Sequence, residues 1–216
     1  MPISTPSFSE TTAAPHGVAA LPLMEAFYTL QGEGMHQGRA AYFIRLGGCD
    51  VGCHWCDVKD SWDVSRHPHV TIGEIVAEAA RHPARLAVVT GGEPLMHNLD
   101  ELTGALRAAG FRTHVETSGA HPMSGTWDWV CLSPKKFKAA CEEAFAAADE
   151  LKVVVYHPSD LAWAEAFVPR VGSDCHLLLQ PEWDRRARAM PLILDYVRAH
   201  PHWRASLQTH KYLEIP

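Results

Sequence analysis

The amino-acid sequence predicts an α/β fold, an incomplete (partial) β/α barrel with a mainly parallel sheet. Three observations carry that expectation. From Met24 onward, apolar runs of β type alternate with helical patterns, and parallel neighbours need a crossover that a helix supplies. The strand-like runs fall short of a full eightfold barrel. Polar patches follow the strand-like runs one after another, and in parallel α/β architectures the carboxyl ends of the strands open on one rim.

Residues 1 to about 22 are rich in Ser, Thr, Ala and Pro without a sustained period and read as a mobile tail. Residues 23–216 read as one domain with a single core. Tyr42 to Leu46 is strand-like. The first clear helix is announced by Thr71 and Glu74 at capping-box spacing, with Ile72, Ile75, Val76 and Ala79 on one face. A strand at Leu86 to Val89 comes next. The following helix begins after Asn98, carries Leu99, Leu102 and Leu106, and stops at Gly110, where a missing Cβ suits a left-handed cap. Strands are then expected near 112–115, 129–132, 152–155, 176–179 and 205–208, with helices over 137–149, 159–168 and 185–199. The patches at the strand ends are Gly91-Gly92-Glu93-Pro94, Glu116-Thr117-Ser118-Gly119, Ser133-Pro134-Lys135, Gln180-Pro181 and Thr209-His210-Lys211. Any one of them could be a turn and nothing more, because turns need Gly, Pro and Ser. Five on one rim predict a common pocket.

Composition narrows the function classes. The 216 residues are 47% apolar and 20% charged, and no apolar run approaches the roughly 18–20 residues of a membrane span, so a soluble chain without membrane contact is expected. A formal charge of -6 offers no basic field for a phosphate backbone, which points to a small-molecule partner and away from nucleic acid. There is no Lys or Arg before Arg39 and no apolar stretch of a secretion signal, so a cytoplasmic protein with reduced thiols is expected. Cys131, Cys141 and Cys175 read as buried small hydrophobes, and most of the 14 histidines as surface or capping residues.

Cys49-Asp50-Val51-Gly52-Cys53-His54-Trp55-Cys56 is different, because it places three thiolates in one loop directly after a strand. Three soft ligands suit a metal centre. A closed zinc site wants four protein ligands and an ordinary cubane four cysteines, so a trio leaves one coordination position open. Three readings remain at this point: an iron–sulfur cluster with a vacant corner, a structural zinc site completed by His54, and cysteines that fall together by coincidence.

This CxxxCxxC pattern, with Trp55 before its last cysteine, resembles the signature of the radical S-adenosylmethionine enzymes, and Gly91-Gly92-Glu93-Pro94 resembles their second motif. The resemblance implies a partial barrel of the radical SAM type and a [4Fe-4S] cluster held by Cys49, Cys53 and Cys56. It implies that S-adenosylmethionine chelates the fourth iron and yields a 5′-deoxyadenosyl radical that takes a substrate hydrogen. A narrower resemblance covers about residue 24 to the end. Phe27-Tyr28-Thr29-Leu30-Gln31-Gly32-Glu33-Gly34, Gly38, Phe43-Ile44-Arg45-Leu46, Asp57, Trp62 and the ending Gln208 to Pro216 are similar to the 7-carboxy-7-deazaguanine synthase family. That implies a carbon–nitrogen lyase of queuosine and 7-deazapurine biosynthesis, converting 6-carboxy-5,6,7,8-tetrahydropterin to 7-carboxy-7-deazaguanine with release of ammonia. It also implies a homodimer and a reductant such as flavodoxin or ferredoxin.

By the same resemblance, Trp55, Gly91, Gly92, Glu93, Pro94, Ser118, Ser133, Lys135 and Gln180 bind S-adenosylmethionine. Leu30, Gln31, Gly32, Glu33, Arg45, Thr90, Glu116, His210 and Pro216 face the substrate, the terminal carboxylate accepting from the pterin amino group. Residue chemistry agrees in part: Arg45 offers a charged planar fork to a carboxylate, and Glu33 and Glu116 offer acceptors to a guanidine-like edge. The same three charges could instead form structural ion pairs. One departure stands out. Several family members have Thr after the Asp that follows the last cysteine, and that hydroxyl helps hold Mg²⁺; here Cys56-Asp57 is followed by Val58. The valine side chain cannot ligate magnesium, so Asp57 or Asp60 substitutes, or water and substrate hold the ion by themselves, or Mg²⁺ stimulation is reduced. Two rival functions fit parts of the pattern: an activating enzyme that forms a glycyl radical on a partner protein, and a zinc-stabilised interaction module.

Overall fold

The computed structural model describes residues 19–216. Strand β1 (Ala20–Leu30) runs antiparallel to β2 (Ala40–Leu46), with Phe27 opposite Phe43 and their rings stacked at 5.4 Å. Short β3 (His69–Thr71) pairs antiparallel with the start of β1. Thr71 and Glu74 close the expected capping box at the head of α1 (Ile72–Ala80). Then come β4 (Leu86–Gly91), α2 (Asp100–Ala108), β5 (Arg112–Thr117), β6 (Trp129–Leu132), α3 (Glu142–Ala147) and β7 (Glu150–Val155). The chain finishes with α4 (Ser159–Glu165), β8 (His176–Pro181), α5 (Arg186–Ala199), β9 (Trp203–Ala205) and α6 (Thr209–Leu213).

All nine strands join one sheet in the order β3-β1-β2-β4-β5-β6-β7-β8-β9, and every pair from β2/β4 to β8/β9 is parallel. The end strands β3 and β9 do not meet, so the barrel is open as the strand count predicted. Side chains alternate across this sheet with period two. Tyr42, Ile44 and Leu46 of β2 and Ala87 and Val89 of β4 pack with Ile75, Leu99, Leu102 and Leu106 of the α1–α2 side. Leu151, Val153 and Val155 of β7 and Leu177 and Leu179 of β8 pack with Phe145, Ala164 and Ile193 of α3, α4 and α5. The intervening residues line the other face: Arg45, Thr90, Glu116, Lys152, Val154 and Gln180 all border one cavity. Among the described residues, no helix is long and apolar enough to cross a membrane.

Four boundaries differ from the sequence expectation. Residues 1–18 of the expected tail lie outside the described residues, whereas Ala20–Pro22 already belong to β1, paired with Thr71, Val70 and His69. Their partner lies far along the chain, where no local pattern can show it. The helix expected over 137–149 forms only at Glu142–Ala147, because Lys135 bridges back to Lys138 and the Cys141 N–H bonds the Gly119 carbonyl at 2.8 Å. The stretch 159–168 is helical to Glu165, and Pro169 then sits inside a separate turn over Val168–Arg170. The last strand is Trp203–Ala205 and not 205–208, since Ser206 and Gln208 turn their polar groups to the cavity wall.

Two glycines test this geometry in opposite directions. Gly91 has φ +144° and a Cβ there would fall 2.1 Å from the Leu46 carbonyl oxygen, whereas Gly104 on α2 has nothing within 4 Å. Gly91→Ala is expected to lower stability by more than about 2 kcal/mol. Gly104→Ala raises it by about 0.5–1 kcal/mol through the unfolded chain. Urea unfolding of both variants checks the pair.

Candidate active site

The carboxyl ends of β2, β4, β5, β6, β7 and β8 open on a cavity of about 290 Å³, which the loop after β1 and the C-terminal segment also border. At one side is the cysteine loop. Its entry is fixed by backbone bonds from Gly48 N–H to the Ser61 carbonyl (2.6 Å) and from Cys49 N–H to the Trp62 carbonyl (3.2 Å). The glycine motif after β4 is laced to the same entry. Gly92 N–H bonds the Leu46 carbonyl at 3.0 Å and Glu93 N–H the Gly48 carbonyl at 2.9 Å, while a Cβ on Gly92 would lie 2.3 Å from that Gly48 oxygen. The two glycines are therefore required by close packing of the motif on the cysteine loop.

Glu93 is buried and holds the next strand end. It accepts from Thr117 Oγ1 at 2.6 Å, from Ser118 N–H at 2.8 Å, from Ser118 Oγ and from Leu95 N–H at 3.1 Å. Pro94 starts the turn behind it and does not border the cavity. Cys49, Cys53 and Cys56 pack with Val51, Trp55 and Ala120 in a small apolar group, and all three cysteines border the cavity. Burial pushes the Cys49 thiol up and the Cys53 thiol up to about 11, so a metal must displace their protons. His54 does not border the cavity; its ring meets Phe137 and Tyr156 edge-on at 5.3 Å each. The zinc reading needs His54 as the fourth ligand, and here that ring packs between Phe137 and Tyr156. Lys135 donates to Ser133 Oγ at 2.6 Å and lies 6.0 Å from the Trp55 ring centre.

The opposite side is ionic. Lys152 on β7 donates to Glu33 Oε2 at 2.6 Å and to Glu116 Oε2 at 2.7 Å. Gln180 and Gln208 donate to Glu33 at 3.0 and 2.9 Å, and Gln31 donates to Glu116 at 3.1 Å. Burial alone would raise the Glu33 carboxyl, but the Lys152 charge and these hydrogen bonds outweigh it and hold the group at about 2. Burial likewise opposes ionisation of Glu116, and Lys152 overturns it to leave that carboxyl below its ordinary value. Burial would lower Lys152, yet the surrounding negative groups raise it well above the usual lysine range. All three are charged at neutral pH. Thr209 N–H and Oγ1 both donate to the Gly32 carbonyl at 2.9 Å, and the His210 ring fills the place of a Gly32 Cβ, so the C-terminal segment clasps the loop after β1.

Of the residues singled out in the sequence, Leu30, Gln31, Gly32, Glu33, Arg45, the three cysteines, Trp55, Thr90, Gly91, Gly92, Glu93, Glu116, Ser118, Ser133, Lys135, Gln180, His210 and Pro216 all border this cavity. Arg45 forms an ion pair with Glu25 at 2.7 Å, an oblique contact that is not a hydrogen bond. Asp57 borders the cavity but pairs with Lys211 at 2.6 Å. Asp60 lies off it and pairs with Arg66 at 3.2 Å. The expectation for the other cysteines needs correction, since Cys141 and Cys175 are half-buried and not buried. Cys131 is buried as expected, but among polar groups and not hydrophobes; its sulfur, His114, Glu116 and Glu150 bring ligand atoms within 4.8 Å of one another, a second potential metal-binding set. Most described histidines are exposed or half-buried as expected, His36 and His114 being the buried exceptions. Lys152 and Gln208 were not foreseen as site residues. The available signal for Lys152 was a lone cation in the apolar run Leu151–Val155, at a register that faces the cavity.

An open parallel barrel with a three-cysteine loop at its rim defines a class, and residues 43–157 match the family described as Radical SAM superfamily. The chain is 54% identical over 196 residues (91% of this chain, 93% of the other) to a 7-carboxy-7-deazaguanine synthase of Flavobacterium psychrophilum. It is 45% identical over 194 residues (90% and 93%) to one of Synechocystis. The crystal structure of QueE from Escherichia coli superposes with a TM-score of 0.78 at 32% identity, covering 87% of this chain and 93% of that one. The chain belongs to the 7-carboxy-7-deazaguanine synthase family.

Removing the one cation of the ionic side exposes its electrostatics. Lys152→Met leaves two buried carboxylates unpaired and is expected to cost about 3–5 kcal/mol at pH 7. In the intact chain Glu33, held at about 2, contributes stability that is fully present above its ordinary value of 4.5 and is lost as the pH falls towards 2. In the variant, burial raises that carboxyl, so the sign reverses and the deficit shrinks as the pH falls from 7 to 4.5. Denaturant unfolding at several pH values follows both slopes.

Proposed function

We propose that this chain carries out the radical ring contraction of 6-carboxy-5,6,7,8-tetrahydropterin to 7-carboxy-7-deazaguanine, releasing ammonia, as a step of queuosine biosynthesis. The observation that carries the reading is the joining of two unlike walls in one cavity: three thiols in an apolar setting on one side, and the Glu33–Lys152–Glu116 ion group on the other. When bound, a [4Fe-4S] cluster and S-adenosylmethionine supply a carbon radical able to take hydrogen from an unactivated C–H bond. Cys49, Cys53 and Cys56 would hold the cluster. Trp55, Ser118, Ser133 and Lys135, with the Gly91-Gly92-Glu93 segment, would hold S-adenosylmethionine beside it.

The remaining residues recognise the pterin. Glu33 and Glu116 are ionised, and an ionised carboxylate has about four acceptor sites, so each can still accept from the guanidine-like edge. Lys152 fixes both in place, which orients the ring before reaction. Arg45 meets Glu25 at Nε, and the fork of its guanidinium borders the cavity, where it would pair with the pterin carboxylate. Burial lowers His210, so its ring is a neutral hydrogen-bonding partner at pH 7. Phe27, Phe43 and Trp183 border the cavity and exclude water. Gln180 bonds Glu33 and Ser206, which favours a place on the pterin side and not beside S-adenosylmethionine. A small pterin-like substrate, an electron donor of flavodoxin or ferredoxin type and a second copy of the chain complete this reading.

Anaerobic incubation with reductant, S-adenosylmethionine and 6-carboxytetrahydropterin should yield 7-carboxy-7-deazaguanine, detected by mass. Its absence while the cluster chromophore is intact overturns the assignment. Magnesium is the finer point. The Val58 side chain has no ligand atom and its carbonyl accepts from Ser61 Oγ at 2.6 Å, while Asp57 is engaged by Lys211 and Asp60 by Arg66. Turnover after chelation should therefore respond only weakly to added Mg²⁺, and a strong, saturable response would contradict that.

A further inference from the structure

Beneath the ionic wall, the inner face of the sheet carries polar groups that the reading above leaves unused. Glu116, Cys131 and Glu150 stand side by side on β5, β6 and β7, because the register pairs Glu116 with Cys131 and Cys131 with Glu150. His114 lies two residues before Glu116 on the same face. One ligand atom from each of the four falls within 4.8 Å of the others, and His114, Cys131 and Glu150 are each 0% exposed.

Two of those atoms make no hydrogen bond, His114 Nε2 lying 3.5 Å from Glu116 Oε1. His114 Nε2 and Glu150 Oε1 are buried without a hydrogen bond, although each side chain is held from its other end. His114 Nδ1 meets His36 Nδ1 at 3.3 Å, and Glu150 Oε2 accepts from Met35 N–H at 2.8 Å. A Cβ on Gly34 would sit 2.2 Å from Glu150 Oε1, so the turn over this pocket has a glycine where the carboxylate needs room. Burial depresses His114 to about 3, leaving a neutral ring with one free lone pair. Lys152 is shared by Glu33 and Glu116, and among the described residues no cation forms an ion pair with Glu150, whose carboxyl is raised by burial and by the Glu116 charge. Buried polar atoms without partners are rare in native proteins and imply an occupant between them.

We propose that His114, Glu116, Cys131 and Glu150 form a second metal site, distinct from the cysteine loop, that takes one borderline divalent ion, Zn²⁺ foremost. An imidazole, a thiolate and two carboxylates match the N, S and O donors of zinc, whereas Mg²⁺ and Ca²⁺ take oxygen only and want six or more ligands. Bonds of about 2.0–2.3 Å need only side-chain adjustments within the present spacing. His36 backs the His114 ring as outer partners of metal-bound imidazoles do. Binding takes Cys131 as thiolate and Glu150 as carboxylate, releasing the protons they hold, so the ion's two charges are matched and Glu116 stays the partner of Lys152. The ion would anchor Glu116 from behind while its other oxygen meets Lys152.

The test uses the full chain with its cluster reconstituted, loaded with ZnCl₂, desalted and analysed for iron and zinc. The expected result is about one zinc beside about four irons per chain. Glu150→Gln, which keeps the side-chain shape, and Cys131→Ser should each lower zinc by about tenfold or more with iron unchanged. Folded wild-type protein that retains no zinc, its site holding water, overturns the proposal. So does zinc that persists in either variant.

Discussion

A single ammonium group organises the chemistry-bearing half of this molecule. Lys152 Nζ joins Glu33, from the loop after β1, to Glu116 at the end of β5, and so ties the antiparallel N-terminal hairpin to the middle of the parallel sheet. Taking three charges out of water is costly, and the gain from their attraction does not by itself stabilise a fold. What the arrangement secures is position. Glu33 has partners on both oxygens, from Lys152, Gln180 and Gln208, and each partner comes from a different strand or from the C-terminal segment. Moving any one of those elements breaks a bond to a buried charge.

The cysteine wall is built by the opposite means. Main-chain bonds from Gly48, Cys49, Gly92 and Glu93 fix the start of its loop, Asp50 adds exposed pairs with Lys138 at 2.6 Å and His121 at 2.9 Å, and the glycines are there because neighbouring carbonyls leave no space for a side chain. Glu93 then passes the constraint to Thr117 and Ser118, so the ends of β2, β4 and β5 are fixed as one unit. A cluster-binding loop needs thiols in dry surroundings, and backbone lacing holds its entry while the thiols pack with Val51, Trp55 and Ala120.

Much of this was legible in the residues, and the limits are physical. The capping box at Thr71, the apolar faces of α1 and α2, and the strands from Leu86 to Gln180 announce themselves because their periods are local. The cysteine loop and the glycine motif are legible because their chemistry demands fixed spacing. What escaped depends on partners far away in sequence. Ala20–Pro22 become strand only because residues 69–71 lie beside them, and the segment from Lys135 to Cys141 is drawn out of a helix by Gly119. Arg45 reads as a ligand-binding fork, but its counter-ion Glu25 sits across the β1/β2 ladder. Lys152, His114 and Glu150 have ordinary neighbours in the chain, and their meaning appears only when the register sets them against Glu33, Cys131 and Glu116.

That register also explains how a barrel can hold a charged interior. In a closed barrel the inward residues stack in apolar layers and form the core. Here the sheet is open, and the apolar residues that stabilise it point outward, under the helices: Leu151, Val153 and Leu179 pack with Phe145 and Ile193, while Glu150, Lys152 and Gln180 alternate with them on the inner face. Stability and chemistry are thus assigned to opposite parities of the same strands. The outward set needs only volume and apolarity, which many residues satisfy. The inward set must place ionised groups within a fraction of an ångström, which few can. A one-residue slip in any strand would exchange the two sets, burying carboxylates under the helices and emptying the cavity of its ligands, so pocket and core select the same register.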